Sequence, residues 1–282
     1  MRQILFSTSI YLLLAATFLI ALPEVSRSEP RVSVLKGTNL GPYNEAVSGL
    51  VTGLGFKPEI YELNGDGKAA RRIAQKLSLS RPDIVVSIGT MASVVASQEI
   101  NNLPVVYLLV PRPEAYLKRS GNITGISLNP SPNDQFELLQ RFYPSATRIG
   151  IVFNPDNSEK EVEKIRLAAP PRYKIVQKVI KIKSEIPEAL KQIRSETDIL
   201  WLVMDNNLIS KQTFEFIVKF SVSAKYPLLG FSRSTVKKGA LLSAISDYSS
   251  MGQEGATLVK KILAGKKGVL AIPYRYPKAN GY

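Results

Sequence analysis

From Arg31 onward, short runs of β-branched and apolar residues alternate with stretches whose apolar positions recur at helical spacing. That alternation is the mark of a parallel sheet covered by helices. In the first half, RVSVL, EIYEL, DIVVSIG and PVVYLLV are expected strands, while YNEAVSGLVTGL and KAARRIAQKLSL are expected helices, with a short helix after Gly89. In the second half, RIGIVFN, KIVQKVIKI, DILWLVMD and YPLLGF are expected strands, separated by helices through KEVEKIRLAA, EIPEALKQIRS and TFEFIVKFSVSA. The order is the same in both halves, with RPDIVVSIGT answered by ETDILWLVMDN. About 52 residues separate Val34 from Val86 and about 51 separate Ile151 from Leu202, so the chain reads as two similar Rossmann-like α/β lobes with parallel sheets.

The joint between the halves is GNITGISLNPSPNDQ, where Gly121, Gly125, Pro130 and Pro132 punctuate a strand-like ITGISL; a second such run, ALLSAISDY, follows the second half. Both suit crossovers between lobes, and the helix in SSMGQEGATLVKKILAGKK is expected to return to the first lobe. The expected division is residues 29–127 and 247–282 in lobe 1 and residues 128–246 in lobe 2. Ligands of open α/β sheets collect beyond the carboxyl ends of the strands, so two such lobes face each other across a ligand cleft.

Ahead of this lies Arg2, an apolar run from Ile4 to Leu22, and a polar stretch with small residues at Ser26 and Ser28. Residues 1–28 are expected to be a signal peptide that sends the protein to the periplasm or otherwise out of the cell. The run is close to the roughly twenty residues that span a bilayer, so an uncleaved N-terminal anchor is the alternative. The chain has no cysteine, which excludes a lipid-modified cysteine, disulfides and thiolate metal sites, and no histidine, which removes the commonest metal ligand and the usual general base. No cofactor, metal or catalytic residue is expected.

The formal charge of +14 falls only to about +13 without residues 1–28, which hold Arg2, Glu24 and Arg27. A basic surface favours anionic ligands or membrane surfaces. The lysines are scattered, however, and do not alternate with aromatics as on a nucleic-acid platform, so no nucleic-acid partner is expected.

Candidate binding residues stand at the strand ends, each with a plain structural reading beside it. Gly89 lets the backbone turn or approach closely, and Thr90 can cap a helix starting near Met91; an ordinary strand-to-helix turn uses the same residues. Asn39 and Tyr43 follow the first strand, the tyrosine offering a ring and a hydroxyl or simply a packed surface. Pro111 stiffens the loop after the fourth strand, beside Arg112, which could pair with an anion. Asn154, Asp205 and Asn206 end strands of the second half, where Asx residues commonly cap helices; Asp205 could also accept an ammonium group. Phe231 and Asp247 complete the set, Asp247 being equally suited to cap the last helix. GTMAS is not a G-x-S-x-G elbow, and neither phosphate-cradling glycine motif occurs.

Over most of its length the chain resembles the ABC-transporter substrate-binding family labelled tryptophan/tyrosine transport system substrate-binding proteins, of type I periplasmic-binding-protein fold. The resemblance rests on PYNEAVSGLVTGL, RPDIVVSIGTMAS, PVVY, GNITGISL, QFELLQ followed by the Pro144 region, RIGIVFNP, MDNN, VKKGALLSAISDYSSMGQEGA and KILAGK in that order. It implies a binding protein that is not an enzyme and acts as a monomer, closing over a small molecule, aromatic or otherwise amino-acid-like, and delivering it to an ABC permease in the inner membrane. It carries Tyr43, Thr90, Asp205, Asn206 and Asp247 over as pocket residues. An anchored sensor or scaffold using the same cleft is the rival function. Where many relatives have Asp-Pro-Val after the fourth strand this chain has PRPEAY, and it stops at ANGY, so the fold's last crossover is expected to be absent.

Overall fold

Strand β1 (Val32–Lys36) pairs in parallel with β2 (Glu59–Glu62) on one side and β3 (Ile84–Ile88) on the other, and β4 (Val105–Val110) and β5 (Ile123–Ser127) extend the sheet in the order β2-β1-β3-β4-β5. These elements come from a computed structural model that describes residues 29–118, 120–265 and 276–277, and the backbone of 279–281. The expected signal peptide or anchor, residues 1–28, lies outside the described residues. Val34 stands opposite Val86 in register. Side chains alternate between faces along a strand: Val34, Val86 and Val106 join one apolar cluster with Ala46, Leu50, Met251 and Val259, while Leu35, Val85 and Val105 join another with Ala74, Leu77 and Ala96. Both faces are covered, which is why these strands read as unbroken apolar runs.

Helices α1 (Gly41–Leu54), α2 (Gly67–Ser80), α3 (Thr90–Glu99) and the short α4 (Pro113–Tyr116) connect those strands. The chain then crosses to a second lobe through α5 (Pro132–Phe142), β6 (Arg148–Phe153), α6 (Pro155–Ala168), β7 (Lys174–Val179), α7 (Ile186–Glu196), β8 (Ile199–Trp201), α8 (Lys211–Ser223), β9 (Leu228–Gly230), α9 (Arg233–Lys237) and β10 (Leu242–Ser246). Its parallel strands lie in the order β10-β9-β8-β6-β7 around a core that includes Phe136, Phe153, Trp201 and Leu228. The last long helix, α10 (Tyr248–Leu263), packs on α1 in the first lobe.

The repetition extends to atoms. Asp83, at the head of β3, accepts from the Arg31 amide at 2.7 Å while its own amide donates to Arg31 O. Asp198, at the head of β8, accepts from the Arg148 amide at 2.8 Å and returns its amide to Arg148 O. Each aspartate aligns the starts of the two central strands of its sheet.

Several expectations are corrected. The last crossover is present: β11 (Ala279–Gly281) pairs antiparallel with β10, so these residues belong to the second sheet and not to lobe 1. The run DILWLVMD is strand only over 199–201, because Met204 and the residues after it turn around Asp205. Helix α6 begins five residues ahead of the expected KEVEKIRLAA, where Asn154 accepts from the Asp156 amide and Pro155 occupies the first turn. Helix α5 lies in what reads as linker; Ser131 caps it by accepting from the Asp134 amide, and Pro132 suits its first position. Among the described residues, no helix is long and apolar enough to cross a membrane.

Candidate functional site between the lobes

The carboxyl ends of β1, β3 and β4 bring one group of candidate residues together. Tyr43, in the first turn of α1, lies against Gly37 and Gly89; a Cβ on Gly89 would stand 2.6 Å from the Tyr43 Cζ and overlap its hydroxyl. Gly89 has φ 91 and ψ 161, a conformation open in practice only to glycine. That geometry makes Gly89 the residue ahead of α3 and puts Thr90 inside the helix. The expected Thr90 cap therefore does not form, and no side chain caps α3. Burial raises the pKa of the half-buried Tyr43, so its hydroxyl is a neutral donor and acceptor. Met91 is half-buried against the lobe-1 core. Asn39 is exposed and accepts from the Asn44 side chain at 2.9 Å, apart from this group.

A second group forms where β6 and β8 end. Asp205 is fully buried, and one of its oxygens accepts from the Asn154 amide at 2.8 Å while the other accepts from the Asn207 amide at 2.8 Å and from Asn157 Nδ2 at 3.3 Å. Both oxygens are thus engaged in tying two strand ends to α6. Asn154 caps α6 and donates through Nδ2 to Lys181 O. Asn206, beside Asp205, is exposed. Phe231, after β9, leans on the lobe-2 core. Asp247 caps α10 by accepting from the Ser250 amide at 2.6 Å, and that bond lowers its pKa.

The two lobes meet through the PRPEAY loop. Pro111 is half-buried and leads into Arg112, which adopts φ 44; Leu109, at φ 59, marks a register shift in the β4–β5 pairing. Two non-glycine residues in the left-handed region within four positions are strained, a condition often found at ligand-contacting loops. Arg112 Nη1 reaches across to donate to Asn157 O at 2.6 Å, and its Nη2 donates to the Tyr116 hydroxyl at 3.2 Å. Glu114, on α4, forms an ion pair with Lys164, on α6. Glu161, one helical turn before Lys164, is half-buried with its Oε2 sealed from solvent; desolvation raises its pKa, and Arg112, the Met204 amide and Lys164 oppose that rise.

Arg112, Glu114, Glu161 and Lys164, with Ser127, Asn129 and Pro130 of the crossover and Gln135 of α5, line a small pocket of about 40 Å³. Nearby, the two crossover strands touch where Ser246 Oγ donates to Leu128 O at 3.4 Å. Glu114, Asn157, Glu161 and Lys164 were not legible as site residues: Glu161 and Lys164 lie in KEVEKIRLAA, which reads simply as a helix, and Glu114 and Asn157 lie beside residues singled out for other reasons. The one local hint was the departure at PRPEAY. Among the described residues, no group of three or more Asp and Glu side chains is placed to hold a metal ion.

Comparison with known proteins follows the same outline. A family model described as ABC transporter substrate binding protein matches residues 46–276. A tyrosine-binding protein from Clostridioides difficile strain R20291 is 26% identical over 227 residues, covering 77% of this chain but 65% of the relative, so the match spans less than two thirds of that protein. Among solved structures, a ligand-free, open substrate-binding protein with adhesive properties from Clostridium difficile superposes with a TM-score of 0.71 at 21% identity, covering 89% of this chain and 91% of the other. A Streptococcus pneumoniae ABC domain in complex with L-Trp gives 0.57 at 22% identity, with 90% of each chain covered. At these identities the two structures establish the fold, two β/α lobes of the type I periplasmic-binding kind.

Proposed function

The chain belongs to the family of ABC transporter substrate-binding proteins, and from that premise we propose that it is exported, captures a small molecule of amino-acid type between its lobes, and presents it to a membrane permease. The ligand class follows from a relative named for tyrosine and a neighbour that holds L-Trp, and an aromatic amino acid is the substrate proposed. The observation that carries this reading is the pairing of family and geometry: the match extends across both lobes, and the segments that follow β4 and β6 meet where Arg112 donates to Asn157 O.

Capture needs no covalent step. A ligand that touches both lobes stabilises the arrangement in which they close over it, and a permease distinguishes that arrangement from the open one. The groups available suit such a ligand: the Tyr43 ring and hydroxyl beside the Gly89 turn in lobe 1, the apolar flanks of Met91 and Phe231, and the charged residues around Arg112 where the lobes meet. Micromolar affinity corresponds to about 8 kcal/mol, within reach of burying one aromatic side chain and pairing its charged end.

A thermal-shift and calorimetric screen of the purified protein against the proteinogenic amino acids and simple metabolites tests this. At a hundredfold excess over Kd a true ligand adds about 2.7 kcal/mol and raises the midpoint by several degrees. Tyrosine or tryptophan is expected to produce that rise. A rise with sugars alone, or with no amino acid, would overturn the ligand assignment.

A further inference from the structure

Three buried polar atoms around the interlobe pocket have no hydrogen-bond partner among the described residues: Arg112 Nε, Glu114 Oε2 and Glu161 Oε2. Buried polar groups are nearly always satisfied, and three orphans around one pocket call for a missing partner. They comprise one donor on a cation and two acceptors on carboxylates. The surrounding residues add a second cation, Lys164, and the four side chains together are neutral. The complement of one cationic donor and two carboxylate acceptors is a group carrying an anionic acceptor and a cationic donor side by side.

Resting on the reading above, we propose that this pocket receives the backbone end of an α-amino-acid zwitterion, Arg112 and Lys164 meeting its carboxylate and Glu114 and Glu161 meeting its ammonium. The site takes residues from both lobes, Arg112 and Glu114 from the β4–α4 segment and Glu161 and Lys164 from α6, so a ligand held there bridges the cleft. In the present arrangement the orphan atoms are sealed from solvent, and a ligand reaches them when the lobes part at the crossovers. Asp205, with both oxygens bonded inside its own lobe, has no share in the ammonium. The strained backbone at Leu109 and Arg112 is then what aims the guanidinium across the cleft.

Binding is also expected to release a proton. Burial raises the pKa of Glu161; Arg112 and Lys164 face it as cations, Glu114 as a second carboxylate, and the Met204 amide donates to it. An arriving ammonium favours the ionised form, so the pKa falls in the complex and affinity rises with pH until Glu161 is ionised in the free protein.

The test is titration calorimetry of the full chain with L-tyrosine, L-tryptophan, N-acetyl-L-tyrosine and L-tyrosine amide, in wild type and in Glu161→Gln and Arg112→Gln, with circular dichroism and scattering of each ligand-free protein. Wild type is expected to bind the free amino acid at least tenfold more tightly than either blocked form. Glu161→Gln should weaken tyrosine about 10–100-fold, abolish the penalty for N-acetylation and flatten the pH profile, and Arg112→Gln should abolish the penalty for the amide. Folded variants that keep wild-type affinity and discrimination would overturn the proposal, as would variants that alter only the ligand-free radius of gyration, which is the signature of a lobe-to-lobe clasp. If wild type binds no amino acid, the ligand assignment falls first and this subsite with it.

Discussion

At the residue scale, the paired aspartates that head β3 and β8 perform the same task with different surroundings. Asp198 meets opposing influences: burial would raise its pKa, but the Arg148 guanidinium and the amides of Thr147 and Arg148 outweigh it and bring the value to about 2, below the ordinary 3.8. A carboxyl depressed in the folded state contributes stability above its unfolded pKa and loses it as pH falls through the folded one. Asp198→Asn should therefore lower stability by about 1 kcal/mol at neutral pH, after allowance for solvent screening of a partly exposed pair. Chemical denaturation at pH 7 and pH 2 checks this: the difference between variant and wild type should shrink between about pH 4 and pH 2. Gly89 is the second informative residue. Gly89→Ala places a Cβ against the Tyr43 ring at a φ that disfavours it, so a loss of about 1–3 kcal/mol is expected. The same change should weaken ligand binding, read by calorimetry, because Tyr43 must move.

At the element scale, α10 is held to α1 by backbone approach more than by large side chains. A Cβ on Gly252 would stand 2.6 Å from Leu50 N, and one on Gly53 would stand 2.7 Å from the Ala256 Cβ. Gly252→Val should accordingly destabilise by about 1–3 kcal/mol through overpacking, lowering the melting temperature by several degrees in a calorimetric scan. The stretch around Gly252 is legible as a helix because Met251, Leu258 and Val259 recur on one face. Its partner is less legible, since glycines at contact positions look like weak points until another helix is seen against them. Helix α5 shows the opposite failure: Pro130 and Pro132 read as breaks, yet Pro132 occupies the first helical position, where the missing amide hydrogen removes no bond.

At the scale of the whole molecule, the lobes are linked by crossovers after β5 and β10 that lie side by side, a layout that suits a hinge. Under the proposed function, saturating ligand should reduce the radius of gyration measured by small-angle scattering, and Glu161→Gln should reduce that change along with affinity. An unchanged radius with saturating, high-affinity ligand would mean that capture proceeds without closure. The β11–β10 pairing joins the end of the chain to the second sheet, after α10 has packed on the first lobe.

Most of the strands and long helices and the two-lobe repetition were determined by the sequence alone. Each depends on local periodicity or on a pattern repeated along the chain, and a parallel sheet buried on both faces writes itself as apolar runs. Gly89 could be singled out because a glycine between a buried strand and a helix has few roles. The fates of individual polar residues were decided only by the tertiary structure. Asp205 and Asn154 became internal ties, Thr90 lost its expected cap, and Glu114, Glu161 and Lys164, none of them singled out in the sequence, stand at the meeting of the lobes. A charged side chain looks the same in a sequence whether water or another lobe stands opposite; burial and the partner across the cleft, which no local pattern encodes, decide what it does.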